Sequence, residues 1–188
     1  ESNEWVQLRI EMGHPEPYNL PYLEFGNEEK VNESYAARFN AVAPSIWEKD
    51  EDIILIVGDF GYGDVITDPN NLTNTAGGIT NLNGHKSMLE LAKEHGRTIY
   101  FDVHIWTDTP HSTPNFVEVL GSLYDALHEV CPGTDAKLVI FEYNANIHEF
   151  NRALGNAFAT IETEKNSDIF AIVCSANSLQ VDGHNDNG

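Results

Sequence analysis

Residues 53–59, Ile53-Ile54-Leu55-Ile56-Val57-Gly58-Asp59, constrain the fold of this chain more than any other stretch. An unbroken, mostly β-branched run of this kind reads as a strand covered on both faces, which implies a parallel sheet with helices packed on it. Less continuous apolar runs occupy residues 22–28, 98–106, 138–142 and 168–174. Between them the apolar residues change to helical spacing: Tyr35, Phe39, Val42 and Ile46; Met88, Leu91 and Ala92; Phe116, Leu120, Leu123 and Leu127; and Phe150, Leu154, Ala157 and Ile161. Local signals agree with these helices. Asn32 and Thr113-Pro114 stand where helices begin, Asn146 and Glu149 have capping-box spacing, and Gly96 and Cys131-Pro132-Gly133 mark ends. Pro44 is expected to kink its helix or end it early. Residues 5–12 alternate like a half-buried strand or an extended lead-in.

Strand alternating with helix through five strands and four intervening helices calls for an α/β domain with a parallel sheet and right-handed crossovers. Glu28, Asp59, His104, Trp106 and Glu142 all fall at the carboxyl ends of strands, as functional residues do on a (β/α) TIM-barrel. A closed barrel has eight strands and about 250 residues. The 188 residues here fit one domain with only part of a barrel, so the expectation is a fragment, or a short form whose open sheet edges are covered by a missing barrel segment or by another copy as a homo-oligomer. Residues 60–83, rich in Gly, Asn and Thr, are too many for a plain connector and read as a working loop.

Charge narrows the partners. Thirty acidic against ten basic residues give a net charge of -20, which repels nucleic acid and anionic membrane surfaces but leaves a neutral polysaccharide acceptable. No apolar run approaches the roughly 20 residues of a membrane helix. Cys131 and Cys174 form neither a disulfide framework nor a metal motif, and the compartment, secreted or cytoplasmic, stays open. The sequons at Asn32 and Asn71 are read as chance occurrences.

A glutamate ending a buried strand is costly to desolvate, and this sequence does it twice, at Glu28 and Glu142. Paired carboxyls about 5 Å apart perform glycoside hydrolysis with retention, one attacking the anomeric carbon and one moving the proton. Burial and the neighbouring charge are expected to raise the pKa of the acid. Asn27 is placed to donate to a sugar hydroxyl. His104 and Trp106, two apart on one strand, point the same way, and the indole face suits stacking on sugar. A metal site from Asp102, His104, Asp108 and His111 matches no spacing rule, so no metal or cofactor is expected. Gly61-Tyr62-Gly63 lacks the lysine and following helix of a phosphate loop and reads as a turn. His14, His85, His95, His128, His148 and His184 show no constellation.

Gly13-His14-Pro15-Glu16-Pro17-Tyr18-Asn19 followed by Tyr22-Leu23-Glu24-Phe25-Gly26-Asn27-Glu28 resembles the fourth-strand signature of glycoside hydrolase family 51, mainly α-L-arabinofuranosidases with some endoglucanases. The resemblance implies that the chain corresponds to strands four to eight of the family barrel. It implies Glu28 as acid/base, Asn27 as a ligand of the sugar 2-hydroxyl and Glu142, within Phe141-Glu142-Tyr143, as nucleophile. It also implies that His104 is the sixth-strand histidine, that Tyr143 borders the substrate beside the nucleophile, and that Asn177 takes the place of a substrate-binding amide. Trp106 stands where the family usually has a tyrosine that bonds the nucleophile; an indole can donate there but not accept. The expected activity is removal of α-L-arabinofuranosyl groups from plant cell-wall polysaccharide. The alternatives are an endo-β-1,4-glucanase and a non-catalytic partial barrel that binds sugar or assembles.

Overall fold

The run at residues 53–59 folds as β2 (Ile54–Gly58), with Leu55, Ile56 and Val57 fully buried, as a strand covered on both faces requires. The computed structural model describes residues 3–108, 113–144 and 149–176. Around β2 the chain forms α1 (Glu4–Glu11), β1 (Tyr22–Phe25), α2 (Glu33–Trp47), α3 (Asn83–Glu94), β3 (Ile99–Asp102), β4 (Ile105–Trp106), α4 (Thr113–Val130), β5 (Lys137–Asn144), α5 (Phe150–Lys165) and β6 (Phe170–Ser175). Every strand pairing is parallel. The sheet runs β1-β2-β3-β5, with β4 continuing the β3 edge of β5 and β6 on its other edge.

Leu55 and Val57, Ile99 and Phe101, and Leu138 and Ile140 join the core made with Phe39 of α2, Met88 and Leu89 of α3, and Leu120 and Leu123 of α4. By alternation Glu24, Ile56 and Asp102 face the opposite side of the sheet. One irregularity decides what else faces that way. From Ile140 to Tyr143 is three residues, while their partners Val173 and Ser175 are two apart, so β5 carries one extra residue there. The bulge reverses the alternation. Ile140 and Tyr143 both pack toward the helices, and Glu142 turns to the face that carries Asp102.

The segment expected as one strand over residues 98–106 is broken at Val103 and His104, where Val103 N–H donates to Val139 O and His104 N–H to Phe60 O. Residues 5–11 are helical, not extended, and Met12 is the C-cap. Asn3 caps α1 by accepting from Val6 N–H, Glu4 and Arg9 suit its dipole, and no residue of α1 is buried, so a three-residue apolar alternation could not identify it. Pro44 does not end α2, which continues to Trp47. The indole is buried edge-on to Phe39, and Val42 is exposed while Ala43 takes the inward position.

In α5 the buried residues are Gly155, Ala159 and Thr163, whereas Phe150, Ala157 and Ile161, expected inward, are exposed. Small side chains let α5 sit close to the sheet, while Phe150, Phe158 and Ile161 face solvent. α4 buries Phe116, Leu120, Leu123 and Leu127 as their spacing requires. Arg97 N–H reaches Ala92 O and Gly96 N–H reaches Lys93 O, with Gly96 at φ +62, closing α3 with a left-handed cap. Asn146 and its capping box lie outside the described residues. Among the described residues no helix is long and apolar enough to cross a membrane.

Asn32 Oδ1 accepts from Ser34 and Tyr35 N–H, both at 3.0 Å, and so fixes the helix that follows β1. Asn32→Ala is expected to cost about 1 kcal/mol and lower Tm by about 2–4 °C in a thermal melt.

Candidate active site

β1 ends in a turn that presents Glu28 above the carboxyl end of the sheet. Gly26 (φ +83) and Glu28 (φ +52) both adopt left-handed backbone, a conformation that costs a non-glycine residue about 1 kcal/mol or more. The turn is pinned from below. Glu29 N–H donates to Gly58 O at 2.9 Å, and a Cβ on Gly58 would collide with the Gly26 carbonyl. Glycine at the end of β2 is therefore what lets the turn descend onto the sheet.

His104 organises the side chains above it. Its ring is fully buried, with Nε2 3.0 Å from Asp102 Oδ2 and Nδ1 2.9 Å from Glu28 Oε1. The same Nδ1 lies 3.8 Å from Glu142 Oε2. One oxygen of each glutamate and the His104 nitrogen all lie within 4.8 Å of one another, and both carboxylates keep access to solvent. Burial opposes a charge on His104, but the hydrogen bonds to Asp102 and Glu28 and the charges of Asp102 and Glu142 outweigh it and lift its pKa to about 9. At neutral pH the ring is an imidazolium that donates from both nitrogens. The three atoms lie close enough to share one ion, which would have to displace the proton between His104 and Glu28.

Three further residues complete the cluster. Asp102 is fully buried; besides bonding His104 it accepts Phe141 N–H at 2.8 Å through Oδ1, taking up a donor that the β5 bulge frees from the ladder. Asn144 Nδ2 donates to Glu142 Oε2 at 3.0 Å. Glu24 adds another carboxyl. Burial, then the charge and hydrogen bond of Asp102, push its pKa up to about 7. Asp102 and Asn144 each lie two residues along a strand from His104 and Glu142, so period-two spacing could have found them.

The structure thus brings together Glu28, Glu142 and His104, with Asn27 exposed on the turn and Trp106 at the end of β4, 40% exposed and 6.2 Å from the Phe60 ring. Tyr143 is not brought there. As the residue after Glu142 it points the other way, its hydroxyl 3.3 Å from Thr160 Oγ1 of α5. Asn177 and His111 lie outside the described residues. His85, without a constellation in the sequence, is buried against Asp59, its Nε2 2.7 Å from Asp59 Oδ2, and Tyr62 O–H donates to the same oxygen at 2.7 Å.

The two raised pKa values have the same sign for stability. Folding favours protonated His104, a contribution fully present below pH 6.5 and lost as pH rises through about 9. Folding also favours neutral Glu24, a contribution present below pH 4.5 and lost through about 7. Thermal melts across this range are expected to show stability falling with rising pH in both windows, and Glu24→Gln is expected to remove the lower step while keeping the upper.

Comparison with known proteins agrees with this architecture. Two solved structures share the fold: an endo-1,4-beta-D-mannanase from Thermotoga petrophila (TM-score 0.55, 13% identity, 82% of this chain and 44% of that one) and an exo-beta-1,3-glucanase from Aureobasidium namibiae (TM-score 0.53, 14% identity, 90% and 59%). Both are TIM-barrel glycoside hydrolases, and the parallel sheet with its flanking helices is a partial α/β barrel. In sequence the chain is 25% identical over 175 residues to an extracellular exo-alpha-L-arabinofuranosidase of Streptomyces chartreusis, covering 93% of this chain and 18% of that protein. It is 25% identical over 179 residues to alpha-L-arabinofuranosidase 2 of Arabidopsis thaliana, covering 92% and 21%. The chain spans about a fifth of the length of these relatives. The family model described as the alpha-L-arabinofuranosidase 1 domain matches residues 1–118, which include Glu28 and His104, and on that match the chain belongs to this family of glycoside hydrolases.

Proposed function

We propose that this chain carries the catalytic centre of a retaining α-L-arabinofuranosidase acting on plant cell-wall polysaccharide, with Glu142 as nucleophile and Glu28 as acid/base. The observation that carries the reading is the approach of the two carboxylates to within 4.8 Å across the His104 nitrogen. Retaining enzymes hold their carboxyls about 5–5.5 Å apart, whereas inverting ones need about 6.5–9.5 Å to admit a water. The close approach of one oxygen from each carboxylate supports direct attack by Glu142. The names of the two curated relatives favour an arabinofuranoside as the sugar removed.

In the first step, from the form of the enzyme that carries a proton on Glu28, a Glu142 oxygen attacks the anomeric carbon, the glycosidic bond breaks, and Glu28 gives that proton to the departing oxygen. In the second, Glu28 takes a proton from water, the hydroxide portion bonds to the anomeric carbon, and the Glu142 ester is released. The Asn144 amide holds Glu142 Oε2, leaving the other oxygen to react. His104 holds Glu28 Oε1, and Asp102 fixes the ring that does so. Asn27 stands ready to donate to the sugar 2-hydroxyl. Trp106, exposed beside a cleft, favours a second reading in which the same acids cut a β-1,4-glucan internally.

Assays of the full-length polypeptide that carries these residues separate the two, with a nitrophenyl arabinofuranoside expected to be cleaved and a soluble β-1,4-glucan left intact. Glu142→Ala is expected to abolish turnover, and azide to restore it as a glycosyl azide of inverted configuration. Glu28→Ala is expected to slow poor leaving groups by about 10²–10⁴-fold and activated aryl glycosides far less. Unchanged activity in Glu142→Ala would remove the chain from catalysis.

A further inference from the structure

β4 is two residues long and pairs with β5, Ile105 opposite Tyr143 and Trp106 opposite Asn144. Thr107 extends that ladder by one rung, its N–H donating to Asn144 O at 2.7 Å. The Thr107 hydroxyl, with one proton to give, shares it between the same carbonyl, at 3.1 Å, and Asn156 Oδ1 of α5. Thr107 is fully buried and Asn144 nearly so, which makes these bonds costly to leave unmade. The backbone of Asn144 is therefore pinned by Thr107, and Thr107 by α5.

α5 comes close enough for this contact because Gly155 and Ala159, buried beside Asn156 on its inner side, carry almost no side chain. An asparagine inside a helix is less favourable than an alanine, since its short amide competes for the backbone. Here that amide is half-buried, and its oxygen is spent on Thr107. One turn on, Thr160 Oγ1 donates to Asn156 O at 3.0 Å and lies 3.3 Å from the Tyr143 hydroxyl, a polar contact of the same helix with the same strand that does not reach Glu142.

The side chain that Thr107 anchors is aimed at Glu142. Asn144 Nδ2 donates to Glu142 Oε2, while Asn144 Oδ1 is buried and has no hydrogen-bond partner among the described residues. Turning the amide over would set that oxygen against the carboxylate, so the orientation follows from Glu142 and from the pinned backbone, and it leaves an acceptor unpaired. An amide held in this way serves the carboxylate rather than its own bonding.

What the carboxylate gains depends on its charge. A hydrogen bond to a carboxylate is roughly twice as strong as one to a neutral acceptor such as an ester carbonyl. When the glycosyl-enzyme breaks down, water bonds to the anomeric carbon and gives a proton to Glu28. The bond from that carbon to the Glu142 ester oxygen breaks, and its electron pair stays on Glu142. The returning charge spreads over both carboxylate oxygens, and Oε2 already has a donor in place. In the first step charge leaves Glu142, so the same donor gives no such assistance.

We propose that Thr107 and Asn156 are positioning residues for the second displacement, holding the Asn144 amide on the outer oxygen of Glu142 so that the carboxylate departs readily from the glycosyl-enzyme. The proposal rests on the function argued above and assigns α5 a part in one step of it.

The test is the hydrolysis of a nitrophenyl arabinofuranoside by the full-length protein, a substrate whose good leaving group makes breakdown of the glycosyl-enzyme limiting. Thr107→Val, nearly isosteric, and Asn156→Ala are each expected to lower kcat by about tenfold and KM with it, leaving kcat/KM within about threefold. Asn144→Ala, which removes the donor itself, is expected to give the same pattern. A burst of nitrophenol and a glycosylated Glu142 peptide, seen by mass spectrometry after rapid quenching, are expected to accumulate in all three. Thr107→Ser is expected to restore kcat, and Thr160→Ala to leave it unchanged. Unaltered kcat in the three variants, an equal fall in kcat and kcat/KM, or a Thr107→Ser protein that behaves like Thr107→Val would overturn the proposal while leaving Glu142 as nucleophile. Activity retained in Glu142→Ala would remove the function argued above and this proposal with it.

Discussion

The hydrogen bonds from one imidazolium to two carboxylates, His104 to Asp102 and to Glu28, are the interaction on which the upper face of this sheet depends. Glu24, Glu28, Asp102 and Glu142 crowd the ends of β1, β3 and β5, and without a counter-charge they would push one another apart. His104 supplies the charge from a fully buried position, where the low dielectric strengthens both bonds. Glu24 relieves the rest by holding a proton up to about pH 7. The site is thus a network whose members set one another's protonation, and removing any of them would leave a buried group unpaired.

Backbone irregularities aim this network. A regular β5 would place Glu142 on the helix side, where Ile140 and Tyr143 pack; the extra residue at the bulge turns it inward, and Asp102 Oδ1 accepts the backbone N–H of Phe141 at that point. On β1 the corresponding device is the left-handed turn at Gly26 and Glu28, seated on Gly58. Asp102 therefore joins the two halves. It fixes the ring that holds Glu28 and the strand that carries Glu142.

Much of this was legible in the sequence because burial on both faces leaves a strong mark. The β2 run, the helix stripe of Phe116, Leu120, Leu123 and Leu127, and the acids at strand ends all follow from one-dimensional spacing. What escaped depends on contacts between distant residues. The helix at Glu4–Glu11 buries nothing, so its apolar residues carry no periodic imprint of a core. Pro44 is tolerated because Trp47 gains a buried place beyond it, and the exposed faces of Phe150 and Ile161 reflect where α5 lies at the outer edge of the sheet. The bulge that turns Tyr143 away and Glu142 inward leaves no signature in Phe141-Glu142-Tyr143. Likewise nothing along the chain joins Asp59, Tyr62 and His85, which meet only once the loop has closed over α3.

That a single sugar ring sits between Glu28 and Glu142, attacked by one and protonated by the other, is the centre of this account. Proton NMR of the sugar released in the first moments of hydrolysis, before mutarotation, tests it most directly. Two displacements at one carbon predict that the first anomer formed keeps the configuration of the substrate. Initial release of the opposite anomer would mean that water attacks in a single step, and the role given to Glu142 would be contradicted.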